Sequence, residues 1–167
     1  MFFAARHIAL PIDKDVLAAR LRHSANLPAL AQRLKNTLFA YISIDNLECI
    51  NRTHGVCMGN RCVFHVLHSI SSCIRSIDYM GHIDAGEVLV VFPDCSRAEA
   101  DHIVERAHIH LRQKTLFADN TTLTFDASIH HGHDFLQNGV FQIDKLVQRG
   151  RTESATRIRM KNGQRRA

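Results

Sequence analysis

Arg75 and Asp78 stand three residues apart, ahead of a tight turn at Asp84-Ala85-Gly86 and an apolar run, Val88–Phe92. An arginine fork forms paired hydrogen bonds with a carboxylate or a phosphate. The plainer reading of the same spacing is a surface ion pair worth a few tenths of a kcal/mol. A second chemistry-bearing set is Cys57, Cys62, His65 and His68. Cys62 and His65 share a helix face, but His68 turns farther round, and structural zinc sites favour closer cysteine pairs. Cys62 is therefore assigned to a buried helix stripe. His130, His131 and His133 form a third cluster, with His131 and His133 on one strand face, read as surface histidines. No metal site is assigned, and no motif supports a Cys–His nucleophile.

These residues need elements to hold them. Pro11 and Asp13 mark a helix start, and Asp15–His23 reads as a short amphipathic helix with Val16, Leu17 and Leu21 on one face. Leu27-Pro28 precedes a second short helix over Ala29–Lys35. Thr37–Ile44 is a nearly continuous apolar run, as in a strand buried on both faces. A long helix is expected from Asn60 to Arg75, with Val63, Val66, Leu67, Ile70 and Ile74 forming its stripe. Gly86 supplies the positive φ that a hairpin turn requires. Ser96 and Glu99 form a capping box for a helix over Arg97–Arg112, with Ala100, Ile103, Val104 and Ala107 facing inward. Thr121–His131 reads as a strand, and Ile143–Val147 opens a last helix. The element order after the lead-in is β-α-α-β-β-α-β-α, which places the chain in the α+β class.

The 167 residues suffice for one domain with a proper core. No apolar run approaches a membrane span, and Met1-Phe-Phe-Ala-Ala lacks the features of a signal peptide; a cytoplasmic location without membrane insertion is expected. Five cysteines, irregularly spaced, fit reduced thiols. Much of the net charge of +5 lies in the segment from Arg157 to Ala167, read as a solvated basic tail. Without interleaved aromatics, that tail is not read as a nucleic-acid platform.

The order R-x-x-D, short strand, turn, apolar strand ending in Phe92-Pro93-Asp94 resembles the GGDEF family, the diguanylate cyclase domains. The stretch from Ser43 to Asn60 follows that family's D-I-D-x-F-K-x-I-N-D-x-x-G-H-x-x-G-D without a gap, and Thr124–Ile129 resembles its T-V-S-A-S-I-G. The resemblance covers residues 37–148 well and the ends poorly. It implies a central, mostly antiparallel sheet flanked by helices, as in nucleotidyl cyclases. Residues 1–36 would form a helical lead-in, and residues 37–167 a degenerate GGDEF domain with its basic tail.

In the family two metal ions sit on the first acid of D-I-D and on the acidic third letter of G-G-[DE]-E-F. Ser43 and Gly86 stand there, and hard cations need oxygen ligands, chiefly carboxylates. Asp84 and Ala85 replace the phosphate-approaching glycines, and Glu48 replaces a phosphate-contacting lysine. A carboxylate about 4 Å from a phosphate costs on the order of 1–4 kcal/mol. The resemblance thus implies a chain without cyclase activity, with no catalytic residue and no cofactor. Asn51 and Asn60 are the remnant of a guanine pocket.

The inhibitory half of the signature persists. In active members R-x-x-D binds cyclic di-GMP, with a second arginine on the helix after the hairpin. The matching residues are Arg75, Asp78 and Arg106. An arginine bonds guanine O6 and N7 or a phosphate, and Asp78 is expected to accept from guanine N1–H and N2–H. The expected function is a cyclic di-GMP receptor. An intercalated ligand dimer would crosslink two copies, or this domain and a protein partner. The rival is a ligand-independent interaction or dimerisation scaffold.

Overall fold

The computed structural model describes residues 12–13, 15–17, 19, 34, 36–113, 122–138 and 140–164. The elements are β1 (Ile12–Asp13), β2 (Leu38–Ile44), α1 (Leu47–His54), α2 (Val56–Ser71), β3 (Tyr79–Asp84), β4 (Glu87–Phe92), α3 (Arg97–Arg112), β5 (Phe125–His131), a 3-10 turn (Gly132–Phe135), β6 (Leu136–Gln137), β7 (Val140–Phe141) and α4 (Ile143–Gln164). The main sheet runs β1-β3-β4-β2-β5, with only β1–β3 parallel. This is the α+β fold expected.

β2 is an inner strand, paired with β4 on one edge and β5 on the other, and both of its faces are apolar. Leu38, Ala40, Ile42 and Ile44 enter a core against α2 and α3. Phe39 and Tyr41 enter a second core with Leu89, Val91, Leu146 and Val147, under α4. Each large aliphatic side chain buried this way contributes roughly 1.5–3 kcal/mol. The stripe on α2 forms as its periodicity demands, with Cys62, Val66 and Ile70 buried. The capping box is present on α3: Ser96 Oγ accepts from Glu99 N, and Glu99 reaches back to Ser96 N at 2.8 Å. At the hairpin, Gly86 takes φ 75°, and the register shifts between His82 and Asp84. A Cβ on Gly86 would also lie 2.6 Å from Leu47 Cδ2.

Several boundaries differ from expectation. Ile12–Asp13 is a short edge strand, and Asp13 Oδ1 accepts from Asp15 N at 2.8 Å to open the helical turn behind it. Within that turn Leu17 is buried and Val16 exposed, while residues 20–23 lie outside the described set. Apart from Leu34, helical and buried, so does the helix expected over Ala29–Lys35. Helix α2 runs four residues earlier than expected at each end, Val56–Ser71 in place of Asn60–Arg75. It stops because Ser72 Oγ turns back onto the His68 carbonyl at 2.8 Å and Arg75 N is captured by Asp78 at 2.7 Å. Residues 122–124 are irregular, so β5 begins at Phe125.

The basic tail is helical as far as residue 164, and residues 158–160 are exposed, as a solvated tail would be. Residues 149–164 continue α4. The helix lies close on the sheet because two of its positions are small: Ser154 is buried, and a side chain at Gly150 would collide with the Tyr41 ring.

Candidate functional site

The turn between α2 and β3 carries Arg75 and Asp78. Asp78 Oδ2 accepts from Arg75 N at 2.7 Å, Oδ1 accepts from Nη2 at 2.7 Å, and Nε reaches both oxygens at 3.1 Å. Arg75 Nη2 also donates to the Pro93 carbonyl at 3.0 Å, tying the turn to the exit of β4. The Asp78 side chain has 0% of its surface exposed, that of Arg75 31%. Hydrogen bonding to Asp78 pushes the Arg75 guanidinium above its ordinary range, so its charge is fixed. Arg75 Nη1 makes no hydrogen bond among the described residues. Arg106, on the exposed side of α3, donates through Nη2 to the carbonyl of Cys73, two residues before Arg75. Arg106, Cys73, His110 and Gln113 line a cavity of about 270 Å³ there. Arg75 and Asp78 are thus paired with each other, and Arg106 meets the turn that carries them at Cys73, beside a cavity that neither Arg75 nor Asp78 lines. One role needs correction: the oxygens of Asp78 are engaged by Arg75 in this structure, so neither is presented to a ligand.

Asn51 and Asn60 meet at the junction of α1 and α2. Asn51 lies against Gly59, its Oδ1 buried without a hydrogen-bond partner among the described residues. Asn60 is exposed.

Ser43 lies elsewhere, on the α4 face of the sheet that Phe39 and Tyr41 also enter. Ser43 stands directly opposite Glu87 on one neighbour strand and Asp126 on the other. Arg151 Nε donates to Glu87 Oε1 and Oε2 at 2.9 and 3.0 Å, and Nη2 donates to Oε2 at 2.7 Å and to Asp84 Oδ2 at 3.3 Å. Arg157 Nε donates to both oxygens of Asp126, at 3.0 and 2.8 Å. Burial, then the hydrogen bond to Glu87, pushes the Tyr41 phenol far above its ordinary range, and keeps it protonated. The divalent ions that the family resemblance implies do not fit this arrangement: Ser43 and Gly86 bring no carboxylate, and the acids beside them are held by arginines. The sequence reading missed Arg151, Arg157 and Asp126. A signal existed in the helical spacing of Gly150, Ser154 and Arg157, with Arg151 directly after the first.

Among the described residues no group of three or more His, Cys, Asp and Glu could hold a metal ion. Cys62 is buried in the α2 stripe, as expected. The His131 and His133 rings lie 5.1 Å apart. No described helix is long and apolar enough to cross a membrane.

A family model described as "Diguanylate cyclase, GGDEF domain" matches residues 15–164. The chain belongs to the GGDEF domain family, a membership consistent with cyclic di-GMP-related signalling. Among solved structures it is similar to the active GGEEF domain of a Vibrio cholerae diguanylate cyclase, at 24% identity and TM-score 0.63, over 74% of this chain and 80% of that one. It is also similar to the GGDEF domain of DgcB from Caulobacter crescentus, solved in complex with c-di-GMP, at 15% identity and TM-score 0.63, over 80% and 85% of the two chains. A third match is the diguanylate cyclase SiaD of Pseudomonas aeruginosa, solved with its activator SiaC, at 19% identity and TM-score 0.61 over 74% of this chain. The chain spans about half the length of SiaD, 49%. At these identities the likeness carries the fold.

Proposed function

We propose that this chain is a receptor for cyclic di-GMP without cyclase activity, binding through Arg75 and Arg106 with Asp78 as the residue that positions Arg75. The observation that carries this reading is the contact of Arg106, on α3, with the carbonyl of Cys73, in the turn that presents Arg75. Two guanidinium groups suit the phosphates and the O6/N7 edges of a guanine dinucleotide. A buried carboxylate anchor fixes one fork in advance, which lowers the ordering cost of binding. Loss of catalysis is inferred from Ser43, Gly86, Asp84 and Ala85 at the metal and phosphate positions. Ligand would then act by joining this surface to a partner or to a second copy.

Isothermal titration with cyclic di-GMP, beside Arg75→Ala and beside GTP with Mg²⁺, is the test. Saturable binding lost in the variant, with no turnover of GTP, is expected. No heat at high micromolar ligand would sink the receptor reading, and product from GTP would sink the inactivity reading.

A scaffold that needs no ligand is the second reading. It is favoured by four large apolar side chains left exposed on or beside the same two helices: Val56, Phe64, Ile77 and Ile109. A scaffold keeps its partner in Arg75→Ala; a receptor loses its response.

A further inference from the structure

We infer that the cavity beside Arg106 is a nucleobase subsite, in which Ile109 and His110 take the flat face of one guanine and Arg106 and Gln113 take its edge. The inference deepens the receptor reading of the proposed function and rests on it.

The cavity lies where the end of α2 meets the last turns of α3. It measures about 270 Å³ and is lined by Ser72, Cys73, Arg106, Ile109, His110 and Gln113. The last four follow one another at helical spacing, so a single face of α3 builds that wall. The volume is smaller than that of pockets enclosing whole drug-sized ligands, and it suits one flat heterocycle. Arg75 lies outside the cavity. Cys73, whose carbonyl Arg106 holds, precedes Arg75 by two residues, a span of at most about 7 Å. A cyclic dinucleotide held by Arg75 therefore reaches the cavity with one of its bases.

Two kinds of surface meet there. One is apolar and flat. Ile109 is 48% exposed. The His110 ring lies 6.0 Å from that of His68, and His68 lies 6.2 Å from Phe64 with only 8° between their planes. Phe64, at the outer end of this row, is 65% exposed. Rings and an aliphatic branch held in solvent beside a guanidinium match a base, whose faces are apolar and whose edges are polar. The other surface is polar. Arg106 spends Nη2 on the Cys73 carbonyl and makes no other hydrogen bond among the described residues; its remaining donors suit guanine O6 and N7. Gln113, exposed at the C-terminal end of α3, brings an amide that both donates and accepts. None of the lining residues is acidic, so none repels the phosphates that accompany the base.

Isothermal titration of the full chain with cyclic di-GMP, beside a thermal melt of each variant, tests the subsite. His110→Ala should weaken binding about tenfold, while His110→Phe, which keeps a flat ring, should bind within about threefold of wild type. Gln113→Ala, at an exposed helix end, should weaken binding about threefold with its melt unchanged, and it decides alone if His110→Ala does not fold. Wild-type affinity in both His110→Ala and Gln113→Ala overturns the subsite and leaves the receptor reading standing. A loss in His110→Phe equal to that in His110→Ala also overturns it, because a ring face is then not what binds. No heat from the wild type sinks the receptor reading and the subsite together.

Discussion

Asp78 gives both of its carboxylate oxygens to Arg75, from a side chain with 0% of its surface exposed. The pair is a structural joint as well as a candidate ligand site, because Arg75 continues from it to the Pro93 carbonyl at 3.0 Å.

Asp78→Ala should therefore cost about 1–3 kcal/mol of folding stability, since it removes the acceptor of several charge-assisted bonds and leaves a partly buried guanidinium without its counter-ion. Urea unfolding midpoints measure the loss. A cost below about 0.5 kcal/mol would place the residue among ordinary surface positions.

Arg106→Ala should behave in the opposite way. The residue is exposed and holds one backbone carbonyl, so stability should change by no more than about 0.5 kcal/mol. Cyclic di-GMP affinity should fall by about tenfold or more, equivalent to about 1.4 kcal/mol. Calorimetric titration of this variant beside a thermal melt separates the two quantities.

Gly150→Ala tests the seat of α4. In a free helix the change would gain about 1 kcal/mol in propensity. Here the new methyl group meets the Tyr41 ring, and overpacking of this kind costs about 1–3 kcal/mol. The expected net result is a lower Tm; a rise would mean that the helix does not sit so close.

His130 gives the pH dependence. Burial pushes its imidazole below the ordinary value of 6.5, against the opposing pull of Glu153, 3.9 Å away. The folded state then binds fewer protons than the unfolded chain near neutral pH. The His130 contribution is present above about pH 6.5 and is lost as pH falls through the lower, folded value. Chemical denaturation at several pH values between about 5 and 7.5 should show a decline toward acid that His130→Gln makes shallower. An unchanged slope would remove His130 from the account.

The parts legible in the sequence were those written in periodicity or capping. β2 declared itself through an unbroken apolar run, α2 through its stripe, and α3 through Ser96 and Glu99. The second half of α4 was not legible, because after Val147 its contacts are made by Gly150, Ser154 and two arginines, and a hydrophobic pattern counts none of these. β1, β6 and β7 are two-residue strands, too short for any alternation to register. At the candidate site, spacing found Arg75, Asp78 and Arg106 but could not say where the oxygens of Asp78 are spent. That depended on the turn closing after Ser71, where a continued helix had been expected.

β4 has a consequence of its own. Arg75 touches the chain just past its exit, at Pro93, and Arg151 grips its first residue, Glu87. Six residues of extended strand hold these stations roughly 20 Å apart, with buried side chains at every position between. Substitutions at the two ends share no partner, so their effects should simply sum. A lineage could rebuild one end while leaving the other untouched, and the strand would insulate each from the history of its neighbour.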